Sequence, residues 1–205
     1  HESQSLLIEM QACRSKEFLS YAVPLMKRAF NFDGPEWDIA NIYRLYTKVQ
    51  PSLIRVDADE VTYPAHVILR YNIEKSLISE EITLDDLPGM WDENMKNMLG
   101  IVPTNHKVGC LQDIHWFDGA WGYFPSYTLG AMNAAQLFDS AIRENTTILP
   151  SIGNGNFTPL YDWLIENIHS QGSLYETPEL VKQATGQPLN AEIFKQHLKS
   201  RYLNG

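Results

Sequence analysis

The sequence is poor in the groups that define most function classes. Only two of its 205 residues are cysteines, Cys13 and Cys110, and they lack the close spacing of a paired redox or metal motif. Two unpaired thiols suit a reducing compartment, which points to a cytoplasmic location. Positive charge is scarce: 16 Lys and Arg stand against 25 Asp and Glu, a formal net charge of −9. An acidic surface repels phosphate, so nucleic acid is not expected as a partner. Apolar runs never approach the roughly 18 residues that span a bilayer, and the opening residues carry no signal-peptide pattern, so no membrane role is expected. Four motifs are missing as well: H-E-x-x-H, G-x-S-x-G, the phosphate-binding P-loop and the dinucleotide-binding glycine fingerprint. Eleven prolines and twelve glycines are dispersed, so there is no low-complexity segment, and no solenoid-length repeat is visible.

What remains is a chain with 44% hydrophobic and 20% charged residues, ordinary for a folded domain. Its patterning predicts mainly α structure with at most one small β-sheet. Residues 2–13 read as a helix with Glu2, Leu6, Glu9 and Cys13 on one face. Residues 15–30 continue helical, with Pro24 expected to kink them, and 36–48 follow after the Asp33-Gly34-Pro35 break. SLIRVDAD at 52–59 alternates enough to predict a short strand. Asp59 is placed to cap a long helix over 60–78, in which Thr62, His66, Arg70 and Glu74 fall four apart. Such a polar stripe on an otherwise apolar helix implies a cleft wall or a salt-linked contact. Further helices are predicted over 84–99 (stopped by Gly100), 127–144 and 158–169. One more starts at Thr177-Pro178-Glu179, and Asn190 caps the last.

Between them lies GCLQDIHWFDGAWGYFPSYTLG, residues 109–130, with two Trp, two Phe and two Tyr interrupted by Gly119, Gly122 and Pro125. Exposed aromatics are costly, so a loop this rich in them is expected to line a pocket. Several residues could carry chemistry, each with a plainer alternative. Glu2 could hold a metal or simply be solvated at a helix end. Arg55 could grip a carboxylate with a bidentate fork, or pair with Asp57, Asp59 or Glu60. His115 could donate to a transition state or be a satisfied core histidine. Tyr123 and Tyr127 could donate to an oxyanion or pack. From spacing alone these alternatives stay open.

HESQS at 1–5, IRVDAD at 54–59 and GCLQDIHW at 109–116 resemble, in order, three motifs of the Taq-type thermostable carboxypeptidase family: HES(Q/R), IRxxAD and GxxQDxHW. The likeness extends through Val49-Gln50-Pro51-Ser52-Leu53-Ile54-Arg55, ADEVTY (58–63), LPGMW (87–91), GYFPSYTLG (122–130) and the tail from LVKQATG to FKQHLKSRYL. It covers essentially the whole chain.

The resemblance implies a helical zinc-peptidase-like half that acts on peptides with a free C-terminus, removing single residues, and that assembles as a homodimer. In that family zinc is held by the histidines of H-E-x-x-H and by the glutamate of HES, which here is Glu2. Arg55 takes the terminal carboxylate, with Gln112 binding substrate and Asp113 supporting behind. The aromatic loop also resembles that of related helical zinc peptidases, and by that analogy His115, Tyr123 and Tyr127 would hold substrate or stabilise the oxyanion, Tyr127 being the first choice for the oxyanion and Tyr123 the second. H-E-x-x-H is absent, and His1 opens directly into an amphipathic segment. Residues 1–205 therefore read as one domain, the C-terminal catalytic half of a larger metallocarboxypeptidase. By itself it is expected to be inactive, with zinc absent or weakly bound. The competing reading is a non-catalytic helical interaction or dimerisation module. Retention of Arg55, His115 and both tyrosines argues against it.

Overall fold

Ten α-helices follow one another, joined by short 3-10 turns, in a computed structural model that describes residues 1–203. No β-strand occurs among the described residues, so the mainly α expectation holds with no sheet at all. The chain divides into two units, one made of residues 1–47 and 130 onward, the other of residues 48–129.

The first unit opens with α1 (Glu2–Leu6), which passes directly into a π-helical stretch, Leu7–Ala12. The wider π turn changes the register that a regular helix would keep. Leu6, Leu7 and Met10 are buried, whereas Glu9 turns outward and pairs with Arg14 at 3.7 Å. The cost of burying two carboxylates on one face is thereby avoided. Helix α2 (Lys16–Phe30) starts at Ser15, whose hydroxyl accepts the Phe18 N–H at 3.1 Å, and runs through Pro24 to Asn31 in the left-handed region. Helix α3 (Ile39–Tyr46) follows a 3-10 turn at Pro35–Trp37, and Ile42 packs against Leu19 and Val23.

The main core of this unit forms around α6 (Pro125–Glu144), whose Ala131, Ala134, Ala135, Leu137, Phe138 and Ala141 are all buried. They meet α1, α7 (Ile148–Ile152), α8 (Thr158–Asn167), α9 (Thr177–Thr185) and α10 (Ala191–Leu203) in one apolar cluster. Small residues on α6 admit close neighbours. At Gly130 a Cβ would lie 2.8 Å from Glu2 Cβ and 2.7 Å from its Cγ. Gln136, fully buried, welds the link before α10. Its Nε2 donates to Thr185 Oγ1 at 2.8 Å and to the carbonyls of Gln187 and Pro188, and its Oε1 accepts the Asn190 N–H at 2.8 Å. Asn190 caps α10 as expected, accepting the Glu192 N–H at 3.0 Å.

The second unit is built on α4 (Tyr63–Ile78) and α5 (Leu87–Leu99), whose Leu69, Ile73, Trp91 and Met95 bury against each other. Asp59 prepares α4. Its carboxylate accepts the N–H groups of Val61 and Thr62 and the Thr62 hydroxyl, all within 3.0 Å. Gly100, at φ 73°, ends α5 in the left-handed region. The strand expected over 52–59 is not formed: Arg55–Asp57 is a 3-10 turn. Ile54 keeps an extended backbone, but no other strand among the described residues is there to pair with it. Side-chain bonds from Gln112 satisfy the neighbouring backbone instead: Oε1 accepts the Arg55 N–H at 2.9 Å and Nε2 donates to the Leu53 carbonyl at 3.0 Å.

Candidate functional site

The second unit gathers most of the residues singled out by sequence. Arg55 is 5% exposed, and its partner is none of the nearby acids but Asp113, 58 residues on. Arg55 Nε and Nη2 reach Asp113 Oδ1 at 3.1 and 2.8 Å. The other carboxylate oxygen, Oδ2, takes Nε of Arg70 at 2.6 Å. One carboxylate thus bridges two guanidinium groups, and the remaining Nη1 edge of Arg55 points to the Tyr63 hydroxyl at 3.3 Å. The guanidinium carbon of Arg55 also lies 4.7 Å from the centre of the Tyr127 ring, a cation–π contact. Arg70 is stacked likewise on Trp91, at 4.6 Å.

Electrostatics follow from this packing. Burial pushes the Asp113 carboxyl up, but the bond from Arg55 and the charges of both arginines outweigh it and hold it below the usual range. Burial also opposes charge on Arg55, and Asp113 more than compensates, so its pKa rises. For fully buried Arg70 desolvation wins, lowering its pKa to about 10, still charged at neutral pH. His66 is buried without exposure, and neither ring nitrogen has a hydrogen-bond partner. Burial first, then the charges of Arg70 and Arg55, lower its pKa to about 4, an effect that the Asp113 charge only partly offsets.

His115 and Tyr127 meet at 2.8 Å, Nε2 to hydroxyl. The His115 pKa is lowered, by burial first, with Asp113 opposing and the two arginines adding to the effect, so the ring is neutral at neutral pH. Its Nδ1 is buried and has no partner. An orphaned acceptor is cheaper than an orphaned N–H, so the proton is assigned to Nε2, which donates to Tyr127. Tyr127, in the first turn of α6, is also edge-on to Tyr123 at 5.4 Å, and His115 packs on Phe124 at 4.4 Å. Tyr123 is half exposed.

Arg55, His115, Tyr123 and Tyr127 therefore form one connected group. Gln112 belongs to its frame: its amide is occupied by the main chain of Leu53, Arg55, Val108 and Gly109. Sequence reading missed Tyr63 as a partner of Arg55, and it left Arg70 and Glu74 in a stripe without assigning them neighbours. The four-residue spacing of that stripe was the available signal.

Glu2 belongs to the first unit, where it is partly buried in the first turn of α1 and packed on Gly130. A cavity of about 570 Å³ in the same unit is lined by charges of both signs, among them Arg14, Lys16, Asp139 and Arg201, and by none of the predicted site residues. Among the described residues no three His, Cys, Asp or Glu side chains group as metal ligands. The described side chains do not by themselves fit a zinc site of the usual three protein ligands. No described helix is long and apolar enough to cross a membrane.

Comparison with known proteins places the chain in a family. The family model described as carboxypeptidase Taq (M32) metallopeptidase matches residues 1–202. The chain is 40% identical over 203 residues to thermostable carboxypeptidase 1 of Pyrococcus furiosus, covering 99% of this chain and 40% of that protein. It is 38% identical to carboxypeptidase 1 of Bacillus subtilis, over all of this chain and 41% of that one. Metallocarboxypeptidase 1 of Trypanosoma cruzi superposes with a TM-score of 0.95 at 43% identity, across 99% of this chain and 42% of that chain. The chain thus spans about two fifths of the length of the relatives it matches. With a family match over 202 residues and this likeness of sequence and fold, the chain belongs to the carboxypeptidase Taq metallopeptidase family.

Proposed function

We propose that the chain is the C-terminal catalytic portion of a zinc metallocarboxypeptidase that removes single residues from peptide C-termini. The observation that carries this reading is the state of Arg55: charged, nearly buried, with its Nε/Nη2 edge fixed by Asp113 and its Nη1 edge turned elsewhere. A guanidinium already oriented and stripped of water is suited to a free carboxylate, because little ordering remains to be done on binding. Tyr63, hydrogen-bonded to the same edge, would share that carboxylate as a second donor. Gln112 holds the main chain from which Arg55 projects.

Tyr127 acts on the carbonyl. Nε2 of neutral His115 donates to the phenol oxygen and so orients the hydroxyl that would stabilise an oxygen gaining charge in the transition state. Arg55 over the ring face favours that build-up of negative charge nearby. Tyr123, packed edge-on against Tyr127, would hold substrate and is the second choice as donor. Glu2 is assigned as one zinc ligand on the resemblance of HESQS to the family motif. The other ligands would lie outside these residues, so the chain alone should be inactive and bind zinc weakly or not at all. The homodimer rests on the same resemblance, and the cytoplasmic location on the two unpaired cysteines.

The test is Arg55→Ala in the complete protein, assayed on matched peptides ending in a free acid or an amide. Charge-assisted bonds of about 1.5–3 kcal/mol each should disappear for the acid alone, collapsing the preference between the two. An unchanged acid-to-amide ratio would sink the carboxylate assignment.

A further inference from the structure

His66, Arg70 and Glu74 of α4, with Thr62 just ahead of it, fall four apart along one line, and all four are buried. A charged line facing inward is costly unless each charge finds partners. Arg70 finds Asp113 at 2.6 Å and the His66 carbonyl at 2.9 Å. Glu74 is met by N–H donors: its Oε2 accepts the Trp116 indole N–H at 3.2 Å, and its Oε1 accepts the main-chain N–H of Gly122. Asp113, Trp116 and Gly122 all belong to the aromatic loop. Arg70 and Glu74 are about one helical turn apart, roughly 6 Å along the axis. A regular helix thus grips an irregular loop at two points.

Each grip bears on a different part of the site. The Asp113 carboxylate that Arg70 holds is the one that orients Arg55. The segment between Trp116 and Gly122, which Glu74 holds, is flanked by His115 and Tyr123. Trp116 stacks on Trp121 at 5.8 Å, closing that segment on itself. Gly122 is at φ 78°, a left-handed backbone with open space where a Cβ would be, so its glycine is required by conformation rather than by crowding.

We propose that Arg70 and Glu74 are positioning residues for the reaction. Arg70 sets the Arg55 guanidinium through Asp113, and Glu74 sets the loop segment that holds His115 and Tyr123 in place around Tyr127. The inference rests on the carboxypeptidase reading for what the site does, and goes beyond it in assigning how the site is held. Displacing reacting groups by about 1 Å costs on the order of 100-fold, so both residues matter to rate without touching substrate.

Two variants of the complete peptidase test this, assayed well below their melting temperatures on free-acid and amidated peptides. Arg70→Lys keeps the charge and loses the guanidinium Nε bond to Asp113. It should raise KM for free-acid peptides on the order of 10- to 100-fold, with a much smaller change in kcat. Since Arg70 acts through Arg55, that KM effect should vanish in an Arg55→Ala background. Glu74→Gln is isosteric but must turn an NH2 toward one of two N–H donors. It should lower kcat on the order of 10- to 100-fold with little change in KM.

Wild-type kcat, KM and acid-to-amide ratio in folded Arg70→Lys and Glu74→Gln, beside an impaired Arg55→Ala, would overturn the proposal and leave the function standing. An Arg70→Lys effect that persists undiminished without Arg55 would overturn the Arg70 half. If Arg55→Ala and Tyr127→Phe are also wild type, the functional reading fails and takes the proposal with it. Should Glu74→Gln or Arg70→Lys not fold, Trp116→Phe and Asp113→Glu carry the same tests, with the same kcat and KM outcomes deciding.

Discussion

The two units bury different kinds of residue. In the first, the buried polar side chains among the described residues are Gln11, Gln136 and Ser140, all neutral, beside a large cluster of Leu, Ala, Ile and Phe. In the second they are Arg55, Glu60, Thr62, His66, Arg70 and Glu74. Every buried ionisable side chain of that set is in the second unit, the smaller of the two. Apolar burial stabilises without directional demands. Buried charge does the reverse: it contributes little net stability, but it fixes orientation once its partners are in place. The first unit therefore has the composition of a scaffold. On the proposed reading, the second gives up stability to hold a guanidinium, an imidazole and a phenol ready, as preorganised sites do.

The largest effect should come from breaking the charge bridge. Asp113→Asn leaves Arg55 and Arg70 buried beside a neutral amide, and removing one partner of a buried pair costs about 3–5 kcal/mol. Urea unfolding of the complete protein should show that loss. A cost under about 1 kcal/mol would mean that water already reaches the pair, and the contrast between the units would lose its basis.

Next is Tyr127→Phe in the complete protein. The ring and its contact with Arg55 stay, and the hydroxyl goes. An oxyanion donor removed this way costs on the order of 100- to 1000-fold in kcat, with KM nearly unchanged because the ground-state carbonyl gains less from it. Tyr123→Phe is the control. Wild-type turnover for Tyr127→Phe together with a loss for Tyr123→Phe would exchange their roles. Wild-type turnover for both would make the two tyrosines a wall of the site.

The third effect is acid sensitivity confined to the second unit. His66 has a folded pKa of about 4 against an unperturbed 6.5. The unfolded chain therefore takes the proton first. Stability contributed by neutral His66 is fully present above about pH 6.5 and is lost as pH falls toward 4, on the order of 3 kcal/mol in all. His66→Phe should flatten the pH dependence of urea midpoints in that window. An equally steep dependence in the variant would assign the sensitivity to other groups, His115 first.

The same contrast decides what could be read in advance. Helices of the first unit follow local rules: Asn190 caps where expected, and α2, capped by Ser15, fills 16–30 within a residue of its predicted span. The short α7 was missed because five residues, with Pro150 among them, are too few to show a repeating apolar face. The register change in Leu7–Ala12 was missed because a π turn leaves no composition signal. In the second unit, motif likeness picked out Arg55, His115, Tyr123 and Tyr127, and the structure brings them together. Their partners were not legible. Arg55 has acids two, four and five residues away, yet it pairs with Asp113, 58 residues on, because folding rather than spacing decides which acid shares its burial. The 52–59 segment alternates like a strand, but a strand needs a neighbour to pair with, and Gln112 took the backbone bonds that a neighbour would have made.

The smallest effect belongs to the first unit, and there packing alone should decide it. Gly130 lies in the interior of α6, where alanine would ordinarily be favoured by about 0.5–1 kcal/mol. Here the added methyl would stand 2.7 Å from Glu2 Cγ, 2.8 Å from Glu2 Cβ and 3.3 Å from the Glu2 main-chain carbon. Overpacking of this kind costs about 1–3 kcal/mol, and a Cβ together with a backbone atom cannot swing aside as a flexible side-chain tip would. The clash should win, leaving Gly130→Ala about 1–2 kcal/mol less stable than wild type. Glu2→Gly in the same chain removes both of the closest atoms and should recover most of the loss, whereas Glu2→Ala keeps the Cβ and should recover little. Thermal or urea unfolding of the four variants closes a double-mutant cycle whose coupling energy reports the Glu2–Gly130 contact directly. Because the contact involves no buried charge, that coupling should be the same at pH 5 and pH 8. A coupling that changed with pH would show Glu2 acting there through its carboxylate, and a neutral Gly130→Ala would show that α1 can move away from α6 without cost.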